Sequence, residues 1–171
     1  TSASLKASIE ETGAWSEQVR GLRGRLIVKE DKPFHGTRMI AVYMELENVS
    51  DVGNQMEFYF DPISSIESKL VDENGKEVEQ PPTAADVATP APFWLALPHD
   101  GTLKFRISVT GYGVYDHSGT NVQMSSGNWL IKPNDKGKYY LEATYTSTPP
   151  KADKRRAWSD SLNLPKVLIT H

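Results

Sequence analysis

Alternation of apolar and polar residues with a period of two constrains this chain more than any other feature of its sequence. Over residues 101–110, Leu103, Phe105, Ile107 and Val109 alternate with Thr102, Lys104, Arg106 and Ser108, the pattern of an antiparallel strand buried on one face. Residues 137–146 repeat it, with Tyr139, Leu141, Ala143 and Tyr145 on one face and Lys138, Tyr140, Glu142 and Thr144 on the other. Residues 37–48 place Ile40, Val42, Met44 and Leu46 inward, and residues 55–60 do the same with Met56, Phe58 and Phe60. These two runs are expected to pair antiparallel around residues 49–54. Leu22, Leu26 and Val28 alternate with Arg23, Arg25 and Lys29 in a first strand that packs one face and solvates the other.

Punctuation between the runs agrees with this reading. Residues 66–71 and 76–78 flank Asn74–Gly75, a pair that predicts a tight primed hairpin turn with positive φ at both central positions. Residues 158–164 and 166–169 form two short strands or one bent at Pro165, which lacks a ladder donor. The only helical hint is residues 5–12, too short to be stable undocked. The fold class is therefore all-β: an antiparallel sandwich of about eight or nine strands with long loops. The 171 residues suffice for one buried core. The expected organisation is a single domain over 1–171, with 1–20 as an N-terminal extension. Residues 80–92, rich in proline, and 111–129, rich in Gly, Ser, Asn and Tyr, are read as long loops of the kind that carries function.

The charge of -3 leaves no excess of Lys and Arg for neutralising phosphates, which argues against nucleic acid. Lys151, Lys154, Arg155 and Arg156 form one short basic run, read as a solvated loop. The absence of cysteine excludes disulfides and thiolate chemistry. No apolar run approaches the ~20 residues needed to cross a bilayer, and Thr1–Lys6 lacks the features of a secretion signal.

Tests for chemistry return little. His35, His99, His117 and His171 share no metal-ligand spacing, so no metal is expected. Asp116, His117 and Ser118 have the residue types of a hydrolase triad, but adjacency is not triad geometry, and there is no nucleophile elbow. Gly111-Tyr112-Gly113 is not a phosphate-binding loop, and no cofactor is implied. Asp51, Asp61 and Asp72–Glu73 read as turn residues, with calcium at a loop as the alternative. Asn48-Val49-Ser50 fits the glycosylation sequon. The aromatic residues are more telling. Trp94, Tyr112, Tyr115 and Trp129 are the candidate ligand-binding residues, able to stack on sugars or anchor a protein. Phe93 and Trp94 are adjacent, so in a strand they face opposite sides and one ring must be exposed or covered by a loop.

The stretch from Asp135 through Gly137 to Tyr139 matches the turn and early tyrosine of the tyrosine corner of immunoglobulin-like sandwiches, with Tyr139 as the corner residue. The run Trp15-Ser-Glu-Gln-Val-Arg-Gly-Leu-Arg-Gly-Arg-Leu, then Tyr43-Met-Glu-Leu-Glu-Asn-Val-Ser, and finally Trp158-Ser-Asp-Ser-Leu-Asn-Leu-Pro-Lys-Val-Leu-Ile resemble bacterial secreted Ig-like domains. They are similar in particular to the extracytoplasmic tail domains of BlaR1-type membrane metallopeptidases, whose penultimate strand carries a W-S-G-x-L pattern; here Asp160 stands at the glycine. The resemblance implies a secreted or periplasmic, non-catalytic, immunoglobulin-like domain, and it transfers no functional residue because the zinc motif of the larger relatives is missing. The turn at Asn48–Asp51 is also similar to bacterial proteinase-inhibitor domains. The functional expectation is a binding module for a protein or a cell-surface polysaccharide, with a carbohydrate-binding module, its loops braced by calcium, as the alternative and proteinase inhibition as a remote one.

Overall fold

The computed structural model describes residues 9–51, 53, 55–80, 90–109 and 119–171. Over these residues the protein is all-β, with eleven strands and no helix, and so none long and apolar enough to cross a membrane. The strands are β1 (Glu10–Thr12), β2 (Leu22–Glu30), β3 (Arg38–Asn48), β4 (Met56–Phe60), β5 (Ile66–Asp72), β6 (Phe93–Leu97), β7 (Thr102–Arg106), β8 (Thr120–Met124), β9 (Gly127–Ile131), β10 (Tyr139–Thr146) and β11 (Ser161–Ile169). One sheet runs β1-β2-β3-β8-β9 with β7 also on β3, a second runs β11-β10-β5, and β4 and β6 form a two-stranded ribbon.

β3 is long enough to hold two neighbours on one edge. Its first residues, Arg38–Ile40, pair parallel with Thr120–Val122, and Tyr43–Glu47 pair antiparallel with β7. The exchange falls at Val42, whose N–H donates to the Ser108 hydroxyl at 2.9 Å while its carbonyl accepts from the N–H groups of Ile107 and Ser108. In the second sheet Leu141 faces Val167 but Ala143 faces Leu164, so Pro165 and Lys166 together oppose Glu142. This bulge gives Pro165 a place where no ladder donor is missed.

The alternation places Leu22, Leu26, Val42, Met44, Leu46, Leu141, Tyr145 and Leu162 in one shared core. β2 approaches β11 at Gly24, where a Cβ would lie 2.8 Å from a Leu164 methyl and 3.0 Å from a Leu46 methyl. The outer face of β2 and β3 carries cross-strand pairs in register, Arg23 with Glu47 and Arg25 with Glu45. Trp15 lies against both guanidinium groups, 4.7 and 4.3 Å from ring centre to Cζ.

Several expectations change. The described residues alone hold eleven strands where eight or nine were expected, and β3 and β4 do not pair: β3 takes β2, β7 and β8, and β4 takes β6. The chain after Asn48 turns away because the Asn48 amide is buried and accepts the Ser50 N–H and hydroxyl while donating to the Leu97 carbonyl. The same burial removes Asn48 from the surface a glycosylation sequon requires. Within the stretch read as an N-terminal extension, residues 10–16 join the sheet: β1 pairs with β2, and the Gly13 and Ser16 N–H groups donate to the Leu26 and Gly24 carbonyls. The segment read as loop 111–129 contains the β8–β9 hairpin. The Asn74–Gly75 turn is tight, but only Gly75 has positive φ (79°), because the Asp72 carboxylate accepts the N–H groups of Asn74 and Lys76 and fixes a different turn. Residues 158–169 yield one bulged strand, β11, and the remaining parts of both loops fall largely outside the described residues.

Candidate binding surface

Trp94 lies on β6, paired opposite Tyr59 of β4, and both rings project to the side away from Phe58 and Phe60, which enter the core. The two outward rings meet edge to face with centroids 5.3 Å apart. Arg155 arrives from the segment after β10 and lays its guanidinium 4.5 Å above the Trp94 ring. Its orientation is fixed by Asp153, whose carboxylate accepts the Arg155 N–H at 2.9 Å and faces its Nε at 3.5 Å. Phe93 and Trp94 thus face opposite sides of the ribbon, with unequal cover. Trp94 is half-buried under Arg155, and Phe93, on the other side, packs against Phe60 and Phe105 yet remains 39 % exposed.

The segment carrying Arg155 is anchored at both ends. Ser147 donates its N–H to the Asp160 carbonyl and accepts the Tyr59 N–H on its hydroxyl. Trp158 is 7 % exposed and stacks on Tyr145 with centroids 5.9 Å apart and planes 9° apart. Its backbone N–H donates to Glu57 and its indole N–H to the Val19 carbonyl, each near 2.9 Å. Tyr145, below it, donates its hydroxyl to the Tyr59 carbonyl at 2.9 Å. Burial pushes the Tyr145 phenol far above its ordinary range, partly countered by its hydrogen bond with Ser147, so it stays a neutral structural donor. A groove of about 570 Å3, rimmed by Thr146, Thr148, Ser159, Ser161 and Arg155, opens beside this segment.

The four aromatic residues expected to bind ligand are not brought together. Trp94 is on this surface, and Tyr112 and Tyr115 lie outside the described residues. Trp129 is a correction: it is fully buried on β9 and belongs to the core, because β8–β9 pairing turns its ring inward with Val122. Asp116, His117 and Ser118 also fall outside the described residues. Asp61 and Asp72 use their carboxylates within their own turns, Asp61 accepting the Ile63 N–H and the Ser64 hydroxyl and Asp72 the N–H groups of Asn74 and Lys76. Among the described residues no three His, Asp or Glu side chains gather as metal ligands. Sequence reasoning missed Tyr59 and Arg155. The first is visible as the polar phase of the β4 alternation, but nothing local to Arg155 indicates that it crosses to Trp94.

Comparison with protein-family models, with curated proteins and with solved structures returns no match to this chain.

Proposed function

We propose that this chain is a non-catalytic, extracytoplasmic, immunoglobulin-like module that binds a partner protein through the surface around Trp94. The observation that carries the reading is the Trp94–Tyr59–Arg155 cluster, which places Trp, Tyr and Arg, the residue types that dominate protein interfaces, on an outward sheet face fixed from beneath by Tyr145 and Trp158. A rigid anchor of this kind loses little entropy on binding. Support for the immunoglobulin-like reading comes from the strand order β5-β10-β11 opposite the β2-β3-β7 grouping, the arrangement of a C-F-G sheet facing A, B and E. Tyr139 adds to it, because its hydroxyl bonds back to the preceding turn at Asp135.

Carbohydrate binding is the second reading, favoured by the hydroxyl-rimmed groove beside Arg155. It ranks lower because a sugar needs a free ring face and Arg155 occupies one face of Trp94. Melting the protein against a panel of soluble polysaccharides separates the two, since a ligand in hundredfold excess over its Kd adds about 2.7 kcal/mol of stability. The protein-binding reading predicts no shift with any sugar, and capture of a discrete partner that Trp94→Ala and Arg155→Ala both abolish. A saccharide shift lost in Trp94→Ala, or capture unaffected by either substitution, rejects it.

A further inference from the structure

The described residues contain seven arginines, and five of them are in ion pairs: Arg23 with Glu47, Arg25 with Glu45, Arg38 with Glu30, Arg106 with Asp31 and Arg155 with Asp153. The other two, Arg20 and Arg156, have no acidic partner within ion-pair distance among the described residues. Both line the same open groove of about 480 Å3, with Ser50, Met56, Glu57 and Trp158 among its walls. They come from distant parts of the chain. Arg20 sits in the tight turn between Val19 and Leu22, where both central residues have positive φ, 49° for Arg20 and 82° for Gly21. A bulky side chain at positive φ is an uncommon and unfavourable arrangement. The turn is seated against Ser50, since a Cβ on Gly21 would lie 2.6 Å from the Ser50 Cβ. Arg156 lies two residues before Trp158, whose indole N–H bonds to Val19 in that same turn and whose backbone N–H bonds to the Glu57 carbonyl of β4. One tryptophan thus joins the two elements that carry the unpaired cations.

We infer that this groove is a docking site for an acidic peptide segment of a partner protein, with Arg20 and Arg156 receiving carboxylates. Guanidinium groups take carboxylates in forked, charge-assisted hydrogen bonds, and two of them a groove apart suit successive acidic side chains. The groove is larger than a single small anion, and Met56, Ala157 and the edge of Trp158 offer apolar contact for side-chain stems. Glu57 is the one acidic side chain among the described lining residues. It opposes acidic ligands and leaves a local excess of one positive charge. The inference rests on the protein-binding reading above, but it uses residues other than Trp94.

The test is fluorescence anisotropy with a labelled octaglutamate peptide, using octaglutamine as the uncharged counterpart. Binding of octaglutamate should weaken about tenfold in Arg20→Asn or Arg156→Gln, and further in the double variant, since each removes a charge-assisted contact. Asparagine is chosen at position 20 because it tolerates positive φ. Glu57→Gln should tighten binding, and Arg38→Gln, which removes an arginine already paired to Glu30, should leave it unchanged. Unaltered melting temperatures show that the variants fold. Equal binding of octaglutamine, equal binding by the double variant, or full displacement by millimolar inorganic sulfate overturns the inference, the last by showing a simple anion site. Trp94→Ala separates the two claims: its failure to disturb partner capture counts against the interaction surface, and an indifferent double arginine variant counts against the groove.

Discussion

Tyr139 donates its hydroxyl proton to the Asp135 carboxylate at 2.6 Å, and the Gly137 N–H donates to the other oxygen at 2.8 Å. These two bonds, the tyrosine first, hold the Asp135 carboxyl below its ordinary value of 3.8, and the same carboxylate, followed by burial, raises the Tyr139 phenol to about 12. The signs give opposite pH windows. Asp135 contributes stability above its unfolded value, which is lost as pH falls through its lowered folded value; Tyr139 contributes below 10, and that is lost as pH rises from 10 toward about 12. Tyr139→Phe is therefore expected to flatten the alkaline limb of a melting-temperature profile and to move the Asp135 titration toward normal, as followed by carboxyl NMR. Tyr145→Phe should cost ~1 kcal/mol in denaturant unfolding, because the Tyr59 carbonyl loses its donor. The turn before Tyr139 was legible from the Asp, Gly and Tyr spacing, but the Asp135 carboxylate as acceptor of its hydroxyl was not. Trp94 was legible from its neighbour Phe93; Arg155 was not, because a cation above a ring is a tertiary contact with no periodic trace.

The long alternating runs do form strands, β2, β3, β7 over Thr102–Arg106 only, and β10; one face enters the core along most of their length, while Ile27, Met39 and Ala41 bury the other face of β2 and β3 locally. The β8–β9 hairpin was lost for a physical reason. Its apolar phase is only Val122 and Met124 on one strand and Trp129 and Ile131 on the other, set among Ser, Asn and Gly, while its polar phase, Asn121, Gln123 and Asn128, is buried as well. Alternation reports a contrast between wet and dry faces, and this hairpin has no wet face to report. Pairing partners were also illegible: the buried Asn48 amide, not hydrophobicity, decides that β3 and β4 part. At this scale the sharpest test is Gly24→Ala. The added methyl meets Leu164 and Leu46 and should destabilise by ~1–3 kcal/mol, read as a lower urea midpoint with an unchanged slope.

All three sets of strands contribute to one core cluster, which joins Leu26 and Met44 of the first sheet to Leu141 and Leu162 of the second and to Phe58 of the ribbon. Unfolding is therefore expected as a single transition, with tryptophan fluorescence and far-ultraviolet circular dichroism coincident in denaturant, and a chain without cysteine should give the same curve with reductant present. Two separate transitions would show that the ribbon or one sheet melts on its own. The fold class and the polarity of the main strands follow from sequence at this scale, but the order of strands in the sheets does not, because alternation carries no information about which strand lies beside which. That order has a consequence for biosynthesis. β3 waits for β7 and β8, encoded far downstream of it, and β10 stays bare on one edge until β11 appears. Until residues through 131 are present the first sheet lacks β8 and β9, and until those through 169 are present the second lacks β11, so the earlier strands keep unpaired edges that need shielding from other chains.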